Sequence, residues 1–189
     1  MSPKALATIV LASLAVVACK RGGVALDQPF FELQGRVRAV TWTGGTGLTS
    51  GQWDFSQDGK MVRGAWEVTG RDRISGRIKS ASLCEVDNDS REEFNVALEF
   101  TLDRGGNLLS ALNRNDFGEY EYVLERGSDG RVINTSVRDL ADSAKYIYNF
   151  SGYTCDSLGN WVSRRYTVTC EGKVVNSGAE SRDIVYYDE

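Results

Sequence analysis

The chain has 189 residues, about one domain's length, with 22 Lys plus Arg against 26 Asp plus Glu, so it is mildly acidic. Its basic residues are scattered rather than banked into a stripe, which excludes nucleic acid as an expected partner. Histidine is absent. That excludes Ser-His-Asp hydrolases and His-ligated zinc sites, while twenty glycines against two prolines favour strands joined by tight turns.

From the amino terminus, Lys4 precedes a mostly apolar run from Ala5 to Ala18, too short to span a bilayer as a helix but suited to a secretory leader. The run ends in Val16, Val17, Ala18 and Cys19. This resembles the lipobox of bacterial lipoproteins. The resemblance implies that residues 1–19 are a lipoprotein signal, that Cys19 is acylated after cleavage, and that the mature protein hangs from a membrane by several acyl chains. Lys20 stands where the sorting rule of such lipoproteins has an inner-membrane aspartate, so an outer-membrane anchor is expected, on its periplasmic or cell-surface side. Residues 20–30, with two glycines and a proline, read as a tether, leaving 31–189 as a single domain.

Within that domain apolar and polar residues alternate at period two, the pattern of strands with one buried face. Leu33, Gly35, Arg36, Val37, Arg38 and Ala39 echo Ile74, Gly76, Arg77, Ile78, Lys79 and Ser80. Trp53, Phe55, Ser56, Gly59, Lys60 and Met61 form a first bend between strands. The run Asp87, Asn88 and Asp89 has hard oxygen ligands, but it lacks the glycine and distal glutamate of an EF-hand and reads as a solvated turn, so no metal is expected. Phe94, Val96, Leu98, Phe100 and Leu102 make the clearest alternating strand, and it leads into a second bend at Asp103, Gly106, Asn107 and Leu108. Tyr122, Leu124, Glu125, Gly130, Arg131 and Val132 give a third, with two residues inserted in the loop. Val137, Leu140, Ala141 and Ala144 have helical spacing over a stretch too short to cover a sheet. Tyr153, Cys155, Asp156, Gly159, Asn160 and Trp161 complete the set, and "RDIVYYDE" is read as the last strand.

In each bend a polar trio is followed by a glycine that permits positive φ. The set is similar to the YD repeat of RHS-type proteins, YxYDxxGNL, whose units are β-hairpins. That resemblance covers about half of the mature chain, and two of the four copies keep the Gly-Asn pair. Nine or ten strands with one apolar face and no helix to cover it must fold onto themselves. The expected class is all-β: an antiparallel meander of repeated hairpins curled into a half-barrel, barrel or sandwich.

With Cys19 lipidated, Cys84, Cys155 and Cys170 are disulfide candidates in an oxidising compartment. If Gly159 closes a hairpin, Cys155 and Cys170 lie about 24 Å apart at strand rise, so Cys84 is the expected partner of one of them. Cys155 beside Asp156 has no histidine to activate it, and no catalytic residue or cofactor is assigned. Trp42, Trp53, Trp66 and Trp161 suit either a sugar-stacking face or buried packing. The expected role is a non-catalytic binding or scaffolding lipoprotein with protein or glycan as partner. Two alternatives stand beside it: a carrier of a lipid or other apolar small molecule in a barrel cavity, and a carboxylate-based hydrolase.

Overall fold

A computed structural model describes residues 26–44, 51–86, 93–142 and 144–188. The signal, Cys19 and the acidic run at 87–89 lie outside the described residues. A short 3-10 turn at Gln28–Phe31 is followed by twelve strands: β1 (Val37–Thr43), β2 (Gly51–Phe55), β3 (Met61–Arg63), β4 (Glu67–Arg71), β5 (Ile78–Val86), β6 (Glu93–Leu102), β7 (Leu108–Asn115), β8 (Gly118–Arg126), β9 (Val132–Asp139), β10 (Lys145–Cys155), β11 (Trp161–Cys170) and β12 (Lys173–Tyr186). The expected nine or ten strands are thus twelve. The stretch with helical spacing is β9 and the turn after it, because Val137 pairs across the sheet with Tyr122.

All pairings are antiparallel in one sheet, with strand order β3, β2, β1, β12, then β11 down to β4. The first and last strands meet, Val40 opposite Ile184 and Trp42 opposite Arg182, and the sheet nearly closes into a barrel. Among the described residues the terminal strands of the sheet are β3 and β4, joined by residues 64–66. Asp27 bridges this seam from inside: its carboxylate accepts the Met61 amide of β3 at 2.8 Å and both terminal nitrogens of Arg71 of β4 at 2.9 Å. A buried carboxylate held by a bidentate guanidinium and an amide hydrogen bond ties together two edges that no ladder joins.

One rule of local geometry generates the meander. The pairs Phe55 and Met61, Leu102 and Leu108, Arg126 and Val132, and Cys155 and Trp161 close four hairpins of the same length, each after a register shift in the ladder. In each, a glycine at positive φ donates back across the turn: Gly59 to Ser56, Gly106 to Asp103, Gly130 to Gly127 and Gly159 to Asp156. The two residues that seemed inserted in the third copy therefore belong to the end of β8, and Gly127, not Glu125, occupies the turn's first position. The echoing Gly35 and Gly76 share the positive φ, although Gly76 donates four residues back, to Asp72, and Gly35 follows the 3-10 turn rather than closing a hairpin. In all six cases the second residue after the glycine opens a strand and is buried: Val37, Met61, Ile78, Leu108, Val132 and Trp161.

Within the barrel the amino-terminal segment acts as a plug. Leu26 and Asp27 donate to Asp58 and Gly59 of the β2–β3 turn, and Phe30 and Phe31 enter the interior. Phe30 lies 4.9 Å from Phe100 between ring centroids, and Phe31 lies 4.9 Å from Trp53, which itself stands 4.6 Å from Trp66. Hence the tether read over 20–30 ends earlier than expected: Asp27, Gln28 and Phe30 are buried parts of the domain. Asn160 fastens the plug at its other end, its Oδ1 accepting the Gln34 amide at 2.6 Å and its Nδ2 donating to Gln34 O at 3.0 Å.

Candidate functional site

Inward-facing residues change character around the barrel. The wall near β2 and β4–β7 is aromatic and aliphatic, whereas β8–β12 turn Arg126, Tyr153, Trp161, Arg164, Glu180 and Arg182 toward the interior. Glu32 reaches this group from the left-handed residue that ends the 3-10 turn. Its Oε1 accepts from Arg126 Nη1 and from the Val132 amide, both at 3.0 Å, and its Oε2 accepts from Trp161 Nε1 at 3.2 Å. Arg164 and Arg182 stand 3.7 and 3.8 Å from the same Oε2. Burial alone would push the Glu32 carboxyl up, but Arg182, Arg164, Arg126 and the Val132 amide together hold it below the ordinary value.

Arg164 donates from Nε to Glu180 Oε2 at 2.6 Å and from Nη1 to Tyr153 Oη at 3.2 Å. Tyr153 in turn donates to Val132 O, and burial raises its hydroxyl pKa so that it stays neutral. Both guanidiniums use the Trp161 ring, with Arg182 Cζ 3.5 Å and Arg164 Cζ 4.2 Å from its centroid. Arg182 also lies 4.0 Å from the Trp42 centroid, yet its three guanidinium nitrogens have no hydrogen-bond acceptor. Burial pushes its pKa down to about 9. A guanidinium keeps its proton in proteins, so this penalty falls on folding stability rather than on titration. Beside these groups a cavity of about 60 Å³ is lined by the polar Glu32, Arg126, Arg164, Glu180 and Arg182 and by the apolar Phe30, Phe31, Trp42, Leu108 and Phe150, the last with its ring centroid 3.7 Å from Arg164 Cζ.

A second feature lies on the outside. The β1 pairing ends at Thr43 opposite Ser181, while β12 continues back to Lys173, paired there with β11. Residues 173–179 are all exposed, Val174 and Val175 by 67% and 56%. Among the described residues this segment has a strand on one side only. Such an edge offers free backbone donors and acceptors.

The sequence candidates separate accordingly. Trp53 and Trp66 are core residues, Trp42 and Trp161 flank the buried arginines, and none of the four forms a surface platform. Cys84, Cys155 and Cys170 carry free thiols. Cys155 and Cys170 sit at opposite ends of the β10–β11 hairpin, and Cys84 is on β5. Among the described residues no three side chains are grouped to hold a metal. Sequence reasoning missed the arginine cluster, because Arg164 and Arg182 occupy inward positions of alternating strands and only that phase marks them. Comparison with known proteins gives no matching family model and no matching curated protein.

Proposed function

We propose that this chain is a non-catalytic, membrane-anchored binding module that recognises an extended protein segment along the unpaired edge of β12. The observation that carries this reading is the division between inside and outside. The plug packs Phe30 and Phe31 against Trp53, Trp66 and Phe100 of the barrel wall, leaving about 60 Å³ beside the arginines, too little for a lipid chain. Recognition then belongs to the exterior, where β12 has the backbone needed for strand addition. A protein partner is favoured over a glycan because all four tryptophans, the side chains best suited to stack on a sugar, are buried.

Anchoring rests on Val16, Val17, Ala18 and Cys19, with Lys20 favouring the outer membrane. From Cys19 to Leu26 the chain spans at most about 25 Å. Leu26 bonds to the β2–β3 turn, at the end of the barrel opposite the β11–β12 turn. An anchored barrel would stand with its glycine turns toward the bilayer and the free edge of β12 pointing away.

Two measurements test this. Peptides selected on the immobilised protein from a random library should slow amide exchange within 173–180, and the double substitution Val174→Lys, Val175→Lys should weaken them about tenfold. Protection elsewhere, or indifference to the substitutions, would refute strand addition. Mass spectrometry of protein extracted from membranes should find acyl chains on Cys19. An unmodified Cys19 would refute the anchor.

A further inference from the structure

The arginine cluster is out of balance in both charge and hydrogen bonds, and neither imbalance bears on the β12 edge. Arg126, Arg164 and Arg182 face Glu32 and Glu180 around one cavity, three positive groups against two negative. The hydrogen bonds of the acids go to other groups, Glu32 to Arg126, Val132 and Trp161 and Glu180 to Arg164, while Arg182 meets Glu32 Oε2 at 3.8 Å, beyond hydrogen-bond reach. The unsatisfied donors sit on residues lining the cavity, namely Nε, Nη1 and Nη2 of Arg182, Nε of Arg126 and Nε1 of Trp42. Buried donors in folded proteins nearly always have acceptors, supplied where needed by water or a ligand. A site with donors in excess and one surplus positive charge is complementary to an acceptor-rich monoanion.

We propose that this cavity binds a small monocarboxylate of about acetate size, its two oxygens accepting from the Arg182 fork and its alkyl end resting against Phe30, Phe31 and Leu108. The planar guanidinium edge matches a carboxylate in a way it does not match a spherical halide. One surplus charge selects a monoanion over sulfate or phosphate. The volume of about 60 Å³ admits a group of a few heavy atoms and excludes a fatty acid. Tyr122, Leu124, Thr135 and Phe150 on the cavity wall are only half-buried, which leaves an approach from solvent.

The test is thermal unfolding and tryptophan fluorescence of the purified protein with sodium acetate, against sodium chloride and sodium sulfate at matched ionic strength. Acetate should raise the melting temperature saturably and change the emission of Trp42 and Trp161, while the other salts do neither. Arg182→Met should weaken the acetate response about tenfold or more without lowering the melting temperature of the ligand-free protein. Arg182→Lys, which keeps the charge and loses the fork, should also weaken it and serves if the methionine variant does not fold. Equal responses to acetate and chloride, an unaltered response in either variant, or a crystal structure from acetate with only water in the cavity would overturn the proposal.

Discussion

At the scale of single residues, Glu32 does the most to combine fold and charge. It is one of two non-glycine residues described at positive φ, and from that bend its carboxylate meets an amide, an indole and three guanidiniums. Glu32→Gln leaves those arginines a carbonyl in place of a charge and should destabilise the fold at pH 7 by about 3 kcal/mol, measured by urea unfolding. Its pH dependence has a definite sign. A carboxyl whose folded pKa is depressed contributes stability that is fully present above its ordinary value of 4.5 and is lost as pH falls through the lower folded value. The wild type should therefore lose stability below about pH 4.5 more steeply than Glu32→Gln. Equal acid limbs would show that Glu32 is not held ionised by the arginines. None of this was legible in the sequence, where Glu32 stands in an unpatterned stretch beside the tether; its role comes from contacts with Arg126 and Trp161, about a hundred residues away.

At the scale of elements, the sequence was far more informative, because the signals that set the hairpins are local. Alternation in β6 and the bends at Gly59, Gly106 and Gly159 read directly from residue order, whereas the last strand, expected over residues 182–189, runs from Lys173 to Tyr186. The third bend was misaligned because Glu125 resembles the aspartates that open the turns at Asp103 and Asp156, whereas backbone geometry puts Gly127 there. The sequence also carried a simpler rule, a glycine followed two residues later by a buried apolar residue, which joins the hairpins to the echo at Gly35 and Gly76. Two glycines separate the physical causes. A Cβ at Gly130 would touch nothing within 4 Å, but φ is +83°. Gly130→Ala should therefore cost about 1–2 kcal/mol from backbone conformation alone, and Gly130→Asn should recover much of it because asparagine tolerates the left-handed region. Gly64 needs no positive φ, yet a Cβ there would collide with the Trp53 ring, so both Ala and Asn should be harmful at that position. Thermal melts of the four variants check the contrast, and equal behaviour of Ala and Asn at position 130 would contradict it.

At the scale of the whole molecule, closure and filling were the parts the sequence left open. Periodicity told that one face is buried, but whether the sheet ends as half-barrel, barrel or sandwich depends on β1 finding β12 across the full chain, and on Asp27 bridging the seam. The plug was misjudged for a similar reason. Gln28, Pro29 and Phe30 lack period, so they read as tether, although Gln28 and Phe30 are buried in the barrel, which bears on the choice between a hollow carrier and a solid module. Hydrogen–deuterium exchange across the native protein tests that decision most directly. Amides of Leu26, Asp27, Phe30, Glu32 and Leu33, all hydrogen-bonded in the plug, should exchange as slowly as those of β1 and β11, while the β12 segment 173–180 exchanges faster. Exchange of residues 26–33 at the rate of an unfolded chain, with the strands still protected, would mean that the plug stands outside an open barrel, and the solid binding module would be the wrong account.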